Sequence, residues 1–303
     1  MHYLILTAAL FAILQFVNGN FGYSPRHQHT WAKEHKHCSG EWQSPIALSS
    51  ARAVPLPLPA LEMISFHNLL SGPINVTNNG HSVALSIPKA HLEERLPHVF
   101  GALLNKGQNY EFEGLHFHWG MKNNRGSEHI LNGVRYPMEM HIILRNVKYP
   151  KYDEAVQYKD GLTVLGIFFQ LQEEDNEKFD PILRTLPNVQ WVNSVVRMNA
   201  SFTLASVIPE DTDIFYTYKG SLTTPPCNEA VVWIIFPTPV QISFRQMSKF
   251  RMLSNGEDVL ADNYRRLQDI RNRKVYVRRL DSRHMNYEDA INLDIEQLEW
   301  IWR

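Results

Sequence analysis

Two histidines stand one residue apart in "LHFHWG" (115–120), a stretch with the composition of a β-strand. Because side chains at i and i+2 share one face of a strand, His116 and His118 project together. Such a pair can also be two ordinary hydrogen-bonded polar residues, so a third ligand is needed to indicate a metal site. His141 supplies one in a second strand-like stretch, "EMHII", where Glu139 shares its face.

Three imidazoles and one open position form the ligand set of catalytic zinc, which keeps its fourth position for water. A close pair and a distant third histidine allow two strands of a sheet to present this set to one tetrahedral ion. Glu139 would then accept a hydrogen bond from the second ring nitrogen of a ligand and orient it. We therefore predict one Zn²⁺ per chain, bound by His116, His118 and His141.

The elements that must position these histidines are predicted mainly as strands. "HSVALSI" alternates Val83, Leu85 and Ile87 on one face, which is typical of a half-buried strand. Strands are predicted at 81–87, 138–146, 162–171 and 230–236, and helices at 174–186 and 241–253. No linker interrupts the strand pattern from 65 to 240, so we expect one mixed, β-dominated domain over residues 20–280.

The composition excludes several classes of function. The chain has 303 residues, 30 of them basic and 31 acidic, for a formal charge of −1. This balance offers no positive field to nucleic acid or to an anionic membrane, so no nucleic-acid partner is expected. Residues 281–303 lack the long apolar stretch of a transmembrane helix or lipid-anchor signal. No membrane anchor is predicted, and this segment is expected to be a docked or frayed tail.

The first 19 residues are typical of a secretory signal peptide. Their apolar run is too short to span a bilayer comfortably, and Val17 and Gly19 occupy the small-residue positions before a cut near Asn20. An uncleaved anchor is the alternative interpretation. A signal peptide over residues 1–19 predicts a secreted, extracellular protein.

Cysteine usage and two glycosylation sequons fit an oxidising compartment. The chain has two cysteines, Cys38 and Cys227, and an even count after an export signal favours one disulfide over two buried thiols. The sequons are "NVT" at Asn75 and "NAS" at Asn199. Such triplets also occur by chance, so each alone is a weak indication of a glycoprotein.

Several spaced motifs together resemble the landmark motifs of the α-class carbonic anhydrases. In chain order they are "QSPI" (43–46), "NNGH" (78–81), "HFHWG" (116–120), "GSEH" (126–129), "MEMH" (138–141), "GSLTTPP" (220–226) and "DNYRRL" (262–267). The likeness covers roughly residues 21–278, and the two cysteines occupy positions that pair in secreted and membrane-bound members. It implies a large twisted, mostly antiparallel central sheet with short peripheral helices.

The resemblance implies a role for each residue that matches a motif. His116, His118 and His141 would bind zinc. Thr223 would accept a hydrogen bond from the nucleophile on the metal and donate its own to Glu128, a positioning effect. Asn263 of "DNYRRL" would, like Glu139, support the zinc ligands without binding the ion itself.

A substrate and inhibitor site is also implied. The Thr224 hydroxyl and the Thr223 backbone N–H would line a site for bicarbonate and for sulfonamide-type and anion inhibitors. An apolar pocket suited to carbon dioxide would be formed by Ile143, Val164, Leu222, Val231 and Trp233.

His81 matches the family's proton-shuttle position, and a kinetic argument supports a shuttle. An acid of pKa ~7 releases protons to water at only roughly 10³ per second if reprotonation runs near a ~10¹⁰ ceiling. Faster turnover needs a relay of near-neutral pKa, which histidine supplies. Tyr23, Asn79 and Thr224 would order the intervening waters.

Some positions depart from the family pattern. Gly114 stands where many relatives have glutamine as the partner of the first zinc histidine, so His116 must use water or another group. Phe21 replaces a usual tryptophan, Ala84 replaces a polar rim residue, and Ile143 stands where valine is frequent. None of these changes removes a ligand.

The segment "RHQHTWAKEHKHC" (26–38) holds four histidines, and no strand or helix period aligns them. We therefore expect a solvated segment, with extra proton buffers or a weak metal patch as alternatives.

The leading functional hypothesis is a secreted zinc enzyme that hydrates carbon dioxide reversibly, with a role in pH regulation. The first alternative is a catalytically silent binding module on the same fold. Relatives of that kind lack one or more zinc histidines, whereas all three are present here. The second is a zinc hydrolase, but no H-E-x-x-H motif occurs.

Overall fold

A computed structural model describes residues 21–70, 72–88, 96–104 and 106–279. The predicted signal peptide (1–19) and tail (281–303) lie outside the described residues. The strands are β1 (Ala47–Leu48), β2 (Val54–Leu56), β3 (Leu61–Ile64), β4 (Asn75–Asn78), β5 (Val83–Ser86), β6 (His98–Gly101), β7 (Tyr110–Trp119), β8 (Ile130–Leu131), β9 (Met138–Asn146), β10 (Leu162–Gln172), β11 (Val195–Arg197), β12 (Phe215–Gly220), β13 (Val231–Ser243) and β14 (Tyr276–Arg278). The α-helices are α1 (Pro25–Glu34), α2 (Tyr152–Ala155), α3 (Asp180–Leu183) and α4 (Phe244–Phe250).

One large sheet organises the described part of the chain. Its strand order is β11-β4-β5-β7-β9-β10-β13-β12-β14-β2, and β6 joins it through β7 and carries β3. Within this sheet only the β10–β13 and β14–β2 pairs of the described residues are parallel. The expected β-dominated fold, with a mostly antiparallel central sheet and short peripheral helices, is confirmed.

The central strands are apolar on both faces because each face has its own core. Leu115, Phe117 and Trp119 of β7 belong to the larger core cluster, on one side of the sheet. Val164 of β10 and Trp233 of β13 belong to a second cluster on the other side. The continuous apolar runs at 162–171 and 230–236 are therefore strands covered twice, as predicted.

The two predicted helices are shorter than expected. The 174–186 segment is a 3₁₀ turn (Glu177–Phe179), then α3, with a second 3₁₀ turn (Leu186–Val189) beyond it. Pro181 lies near the start of α3, and Pro187 near the start of the second turn. Because proline has no N–H and clashes with the preceding turn, one continuous helix cannot form through either residue.

The 241–253 helix begins three residues later than predicted. Pairing with β10 keeps β13 extended as far as Ser243, which lies opposite Gln172. Ser243 then caps α4 through a capping box with Gln246. Tertiary pairing thus overrides the helical period at 241–243.

The histidine-rich N-terminal segment contains helix α1, and its four histidines are exposed or half-buried, in agreement with the expected solvated segment. The Ser24 side chain accepts a hydrogen bond from the His27 N–H, and Pro25 occupies the first turn of α1. A single apolar residue, Trp31, fixes α1 to the protein through Phe21 and the Arg265 guanidinium. A helix with one buried apolar residue shows no periodic apolar pattern, so the sequence did not predict α1.

Cys38 and Cys227 form a disulfide across a sequence separation of 189 residues. Cys38 lies in a 3₁₀ turn (Lys36–Ser39) that follows α1, and Cys227 directly follows the "TTPP" loop. The bridge therefore ties the N-terminal segment to the loop that carries Thr223.

We expect replacement of both cysteines by serine to lower the free energy of unfolding by up to about 5 kcal/mol. The physical reason is the long loop that the bridge closes in the unfolded chain. Urea unfolding of the variant and of the native protein, each with and without reductant, measures the change. A native midpoint that reductant does not move, together with two free thiols in a non-reduced digest, would contradict the bridge.

Candidate metal centre

Three histidines meet on one face of the sheet because of the register between β7 and β9. His116 lies opposite His141, and His118 lies opposite Glu139. Directly opposed residues of an antiparallel pair share a face, so four polar side chains converge there. His116 Nε2 and His118 Nε2 are 3.0 Å apart, and the ligand atoms of the three histidines all lie within 4.8 Å of one another.

This spacing fits a zinc ion. Zn–N bonds of 2.0–2.1 Å at tetrahedral angles would separate two ligand nitrogens by roughly 3.3 Å. His118 and His141 are almost completely buried, and His116 is half-buried. The half-buried imidazole leaves one side of the cluster open to the cleft, as a catalytic ion requires.

The second nitrogen of two of these imidazoles is held by an acceptor. His118 Nδ1 lies 2.7 Å from the Asn263 carbonyl oxygen, and His141 Nε2 lies 2.7 Å from Glu139 Oε1. Because both partners only accept, these nitrogens carry the protons. His118 Nε2 and His141 Nδ1 are therefore left as lone-pair donors to a metal. Asn263 makes this contact through its backbone, while its side chain fixes the Trp119 N–H at 2.7 Å.

Residue 114 is a glycine, so it has no side chain that could hold the His116 ring. Gly114 lies opposite Ser86 of β5, and a Cβ at residue 114 would lie 2.8 Å from the Leu85 carbonyl oxygen. That distance is shorter than real Cβ contacts, and the obstacle is backbone. Glycine is required by the close approach of β5 and β7.

Glu128 presents a buried oxygen to the metal ligands. Its Oε1 accepts a hydrogen bond from the Arg265 backbone N–H at 2.7 Å. Its Oε2 accepts none from the described residues, and it lies 3.5 Å from His118 Nε2 and 4.0 Å from His141 Nδ1. A buried carboxylate oxygen without a donor is costly, so this geometry fits a cation and its bound water beside the histidines.

Burial sets the charge states in this centre. It lowers the pKa of His116 and His141, and it lowers the pKa of His118 to about 4. Neutral imidazole is the form that binds a metal. Burial also raises the pKa of Glu128 to about 7, an effect that the nearby His141 and the hydrogen bond from the Arg265 backbone N–H partly offset.

Glu139 is itself held by a second layer of polar residues. The sequence did not indicate these residues. His129 Nδ1 lies 2.7 Å from Glu139 Oε1, and its backbone N–H donates to Oε2 at 2.8 Å. Its Nε2 lies 2.6 Å from the Tyr218 hydroxyl, which donates to Ser44 Oγ at 2.9 Å. All four residues are buried. Proximity to Glu128 within "GSEH" was the available signal for His129.

The predicted substrate residues line a cavity beside the histidines. Its wall comprises His116, His141, Ile143, Tyr152, Val164, Leu222, Thr223, Thr224, Pro225 and Trp233. Val231 shares the face of Trp233 on β13 but lies beneath this wall, fully buried. The wall combines apolar side chains with three hydroxyl-bearing residues, Tyr152, Thr223 and Thr224.

The predicted proton-relay residues line an adjoining cavity. Tyr23, Asn79, His81 and Thr224 all border it, with Phe21 and Ala84. The His81 ring stacks on Phe21 with centroids 3.9 Å apart, and burial lowers the pKa of His81 to about 4. The Tyr23 hydroxyl is buried and has no hydrogen-bond partner among the described residues.

Comparison with known proteins places this site in a family. The family model described as "Eukaryotic-type carbonic anhydrase" matches residues 26–279. The chain belongs to that family. It is 35% identical over 252 residues to carbonic anhydrase 7 of Mus musculus, covering 81% of this chain and 91% of that one. It is 31% identical over 281 residues to carbonic anhydrase 6 of Canis lupus familiaris, covering 90% and 84%.

The carbonic anhydrases of this family depend on zinc, and the three-histidine cluster can hold a metal. Family membership supports an enzyme of the carbon dioxide hydration class. Among the described residues, no helix has the length and apolar character needed to cross a bilayer.

We expect Gly114→Ala to lower the free energy of unfolding by about 1–3 kcal/mol, because its Cβ would collide with the Leu85 carbonyl and push β5 from β7. Thermal and urea unfolding measure the loss. Gly114→Gln, which adds a larger side chain on the same Cβ, should be at least as destabilised. Equal stability of both variants and the native protein would contradict the close approach of the two strands.

Proposed function

We propose that this chain is a zinc enzyme that catalyses the reversible hydration of carbon dioxide to bicarbonate and a proton. The observation that carries the proposal is the cluster of three neutral imidazoles facing one open cleft, with Glu128 Oε2 4.0 Å or less from two ligand nitrogens. Membership of the eukaryotic-type carbonic anhydrases supports the reaction class.

Zn²⁺ bound here would supply a nucleophile at neutral pH by lowering the pKa of a water molecule to about 7, a value taken from this same enzyme family. The protein's part is orientation. Glu139 and the Asn263 carbonyl hold the protons on the outer nitrogens of His141 and His118, so the inner nitrogens stay directed at the ion.

Thr223 and Glu128 would direct the nucleophile. Through Oε2, ionised Glu128 would accept a hydrogen bond from the Thr223 hydroxyl, which would leave an Oγ1 lone pair to accept a hydrogen bond from the nucleophile. The Arg265 N–H already holds the other oxygen of Glu128 at 2.7 Å, so the carboxylate cannot rotate freely. A positive charge at the histidine cluster would also favour the ionised form of Glu128.

The cavity wall suits both substrates. Ile143, Val164, Leu222 and Trp233 present apolar surface to carbon dioxide, which needs no hydrogen bonds. Thr223 and Thr224 line the same cavity, where the Thr224 hydroxyl and the Thr223 backbone N–H would donate hydrogen bonds to bicarbonate or to an anionic or sulfonamide inhibitor.

A catalytically silent binding module is the second candidate. It would share the fold and could retain the cleft, but it would not require the complete ligand set found here. Stopped-flow hydration of carbon dioxide, with metal analysis of the same purified sample, separates the two. Stoichiometric zinc with no rate above buffer would favour the binding module.

We also propose that the protein is secreted and glycosylated. The signal-like residues 1–19, the Cys38–Cys227 bridge and the two sequons support this location. Asn199 is exposed, whereas Asn75 lies half-buried within β4. Asn199 is therefore the better acceptor of a bulky glycan.

His118→Ala should remove stoichiometric zinc and lower activity to the buffer rate, because two neutral imidazoles cannot complete the catalytic ligand set. Metal analysis after dialysis and stopped-flow rates test this. His67→Ala, at an exposed histidine outside the cleft, is the matched control and should keep both. Full zinc and full rate in His118→Ala would refute the ligand assignment.

His81 is proposed as the proton relay, but its stacked position makes it a weak base. Transfer from an acid of pKa ~7 to an imidazole of pKa about 4 is unfavourable by roughly 10³. Removing the ring of Phe21 should expose His81 and raise its pKa. We therefore expect Phe21→Ala to raise kcat several-fold in dilute buffer, with no gain in the Phe21→Ala/His81→Ala double variant.

His81→Ala alone should lower kcat and leave kcat/KM nearly unchanged, because kcat/KM reports only the steps through bicarbonate release. Imidazole buffer at high concentration should restore much of the loss. A parallel fall in both constants that imidazole does not rescue would mean that His81 is structural.

A further inference from the structure

Three turns of the described chain carry the dipeptide Asn-Gly: Asn79–Gly80, Asn132–Gly133 and Asn255–Gly256. A fourth copy, at 18–19, lies outside the described residues. In each of the three turns the glycine has a positive φ, between 81° and 100°, so the backbone conformation accounts for its presence. The same dipeptide allows a chemical reaction, because glycine has no side chain to hinder ring closure between its nitrogen and the asparagine side chain.

This reaction exchanges the asparagine amide for a carboxyl group. The glycine N–H loses its proton to water or hydroxide, and the nitrogen attacks the asparagine Cγ. The Cγ–Nδ2 bond breaks, ammonia leaves and a succinimide ring remains. Water then opens the ring at either carbonyl, which gives an aspartyl or an isoaspartyl residue.

The asparagine side-chain oxygen is held in a similar way at all three sites. Asn132 Oδ1 accepts hydrogen bonds from the Ser50 N–H at 2.8 Å and from Ser50 Oγ at 3.1 Å. Asn79 Oδ1 and Asn255 Oδ1 each accept two backbone N–H groups. Two donors stabilise the negative charge that develops on this oxygen during the attack. Because the feature is shared, it does not separate the sites.

The three sites differ at the glycine N–H, which is the attacking group. The Gly80 N–H donates to Asn78 Oδ1 at 3.0 Å, and the Gly256 N–H donates to Ser254 Oγ at 3.0 Å. The Gly133 N–H donates to no acceptor among the residues that the structure describes. A nitrogen that is already hydrogen-bonded must give up that bond before it can attack, which raises the barrier.

The space around the glycines differs in the same direction. A Cβ built at Gly133 would meet no atom within 4 Å, whereas at Gly80 and Gly256 it would lie 2.9 and 3.2 Å from Val192. Ring closure requires the glycine nitrogen to move toward the asparagine side chain. The backbone at Gly133 has room for this movement, and the other two glycines are packed against Val192.

We propose that Asn132 is the residue at which the folded protein deamidates, and that the hydrogen bonds of the following glycines protect Asn79 and Asn255. Asn132 and Asn255 are both exposed, so exposure to water alone does not distinguish them. Asn255 therefore serves as a control within the same chain. The inference is independent of the metal centre and of the proposed function.

A modification at residue 132 would act on a tie between β8 and β1. The Asn132 N–H donates to the Leu48 carbonyl oxygen at 2.9 Å, and its side chain accepts from Ser50. An aspartyl product retains an acceptor for Ser50 and adds one negative charge. An isoaspartyl product also lengthens the main chain by one carbon within a two-residue hairpin loop.

The test incubates the purified native protein in mildly alkaline buffer made with water enriched in heavy oxygen, followed by digestion at acidic pH and mass spectrometry. Ring opening takes its oxygen from water, so the heavy isotope marks residues converted during the incubation. We expect Asn132 to be converted about fivefold faster than Asn79 and Asn255, the factor that one net hydrogen bond is worth. In the urea-unfolded chain the three rates should be similar.

Ser254→Ala removes the acceptor of the Gly256 N–H. It should raise the rate at Asn255 about fivefold, toward that of Asn132, and leave the rates at Asn79 and Asn132 unchanged. Ser248→Ala, at an exposed serine of α4 whose hydroxyl donates to the Arg245 carbonyl oxygen, is the matched control and should change none of the three rates.

Three results would overturn the inference. The first is conversion of Asn79 or Asn255 in the folded protein at the rate of Asn132. The second is an Asn132 that stays unconverted in the folded protein although it is converted in urea. The third is an unchanged rate at Asn255 in Ser254→Ala, which would mean that the glycine hydrogen bond does not control the reaction.

Discussion

The pairing of β7 with β9 is the constraint on which the rest of the site depends. His116 faces His141 and His118 faces Glu139 across this pair, so one register brings together three ligands and the carboxylate that orients one of them. A slip of one residue would turn His116 and His118 into the core and expose Leu115 and Phe117. The aromatic core behind β7 therefore holds the metal centre in register as well as stabilising the fold.

The cost of this arrangement is a large number of buried polar groups. Glu128, Glu139, His129 and His118 are all fully buried, and each would be destabilising alone. Most of the cost is offset because the groups satisfy one another, in a chain from His141 through Glu139 and His129 to Tyr218 and Ser44. The exception is Glu128 Oε2, which lies 3.5 Å from His118 Nε2 and is the oxygen left to accept a hydrogen bond from Thr223 in the proposed mechanism.

Two irregularities lie just before the first ligand, and both act on β7. Gly114 lets β5 approach within a distance that no side chain would permit, and the register of β7 with β9 shifts by one residue at Glu113. Neither disturbs the histidines, because both lie on the side of His116 away from His118. The strand thus combines a regular register at the ligands with an irregular stretch directly before them.

Much of this protein could be predicted from the sequence alone, because the patterns that indicate its strands and its metal ligands are local or periodic along the chain. The alternation of side chains along a strand placed His116 and His118 on one face. Continuous apolar runs identified β10 and β13, and the spaced motifs indicated the family. The short helices could not be predicted for the opposite reason. α1 is held by one buried tryptophan and by hydrogen bonds of Gln28 to Tyr264 and Arg266. Pairing with β10 keeps residues 241–243 in β13 instead of α4. Only the tertiary structure decided which groups meet across long separations. Asn263 reaches His118 by its backbone carbonyl, His129 braces Glu139, Phe21 covers His81, and Arg145 joins Glu111 to Glu113. These contacts depend on distances between strands and loops, and no pattern along a single segment of chain contains them.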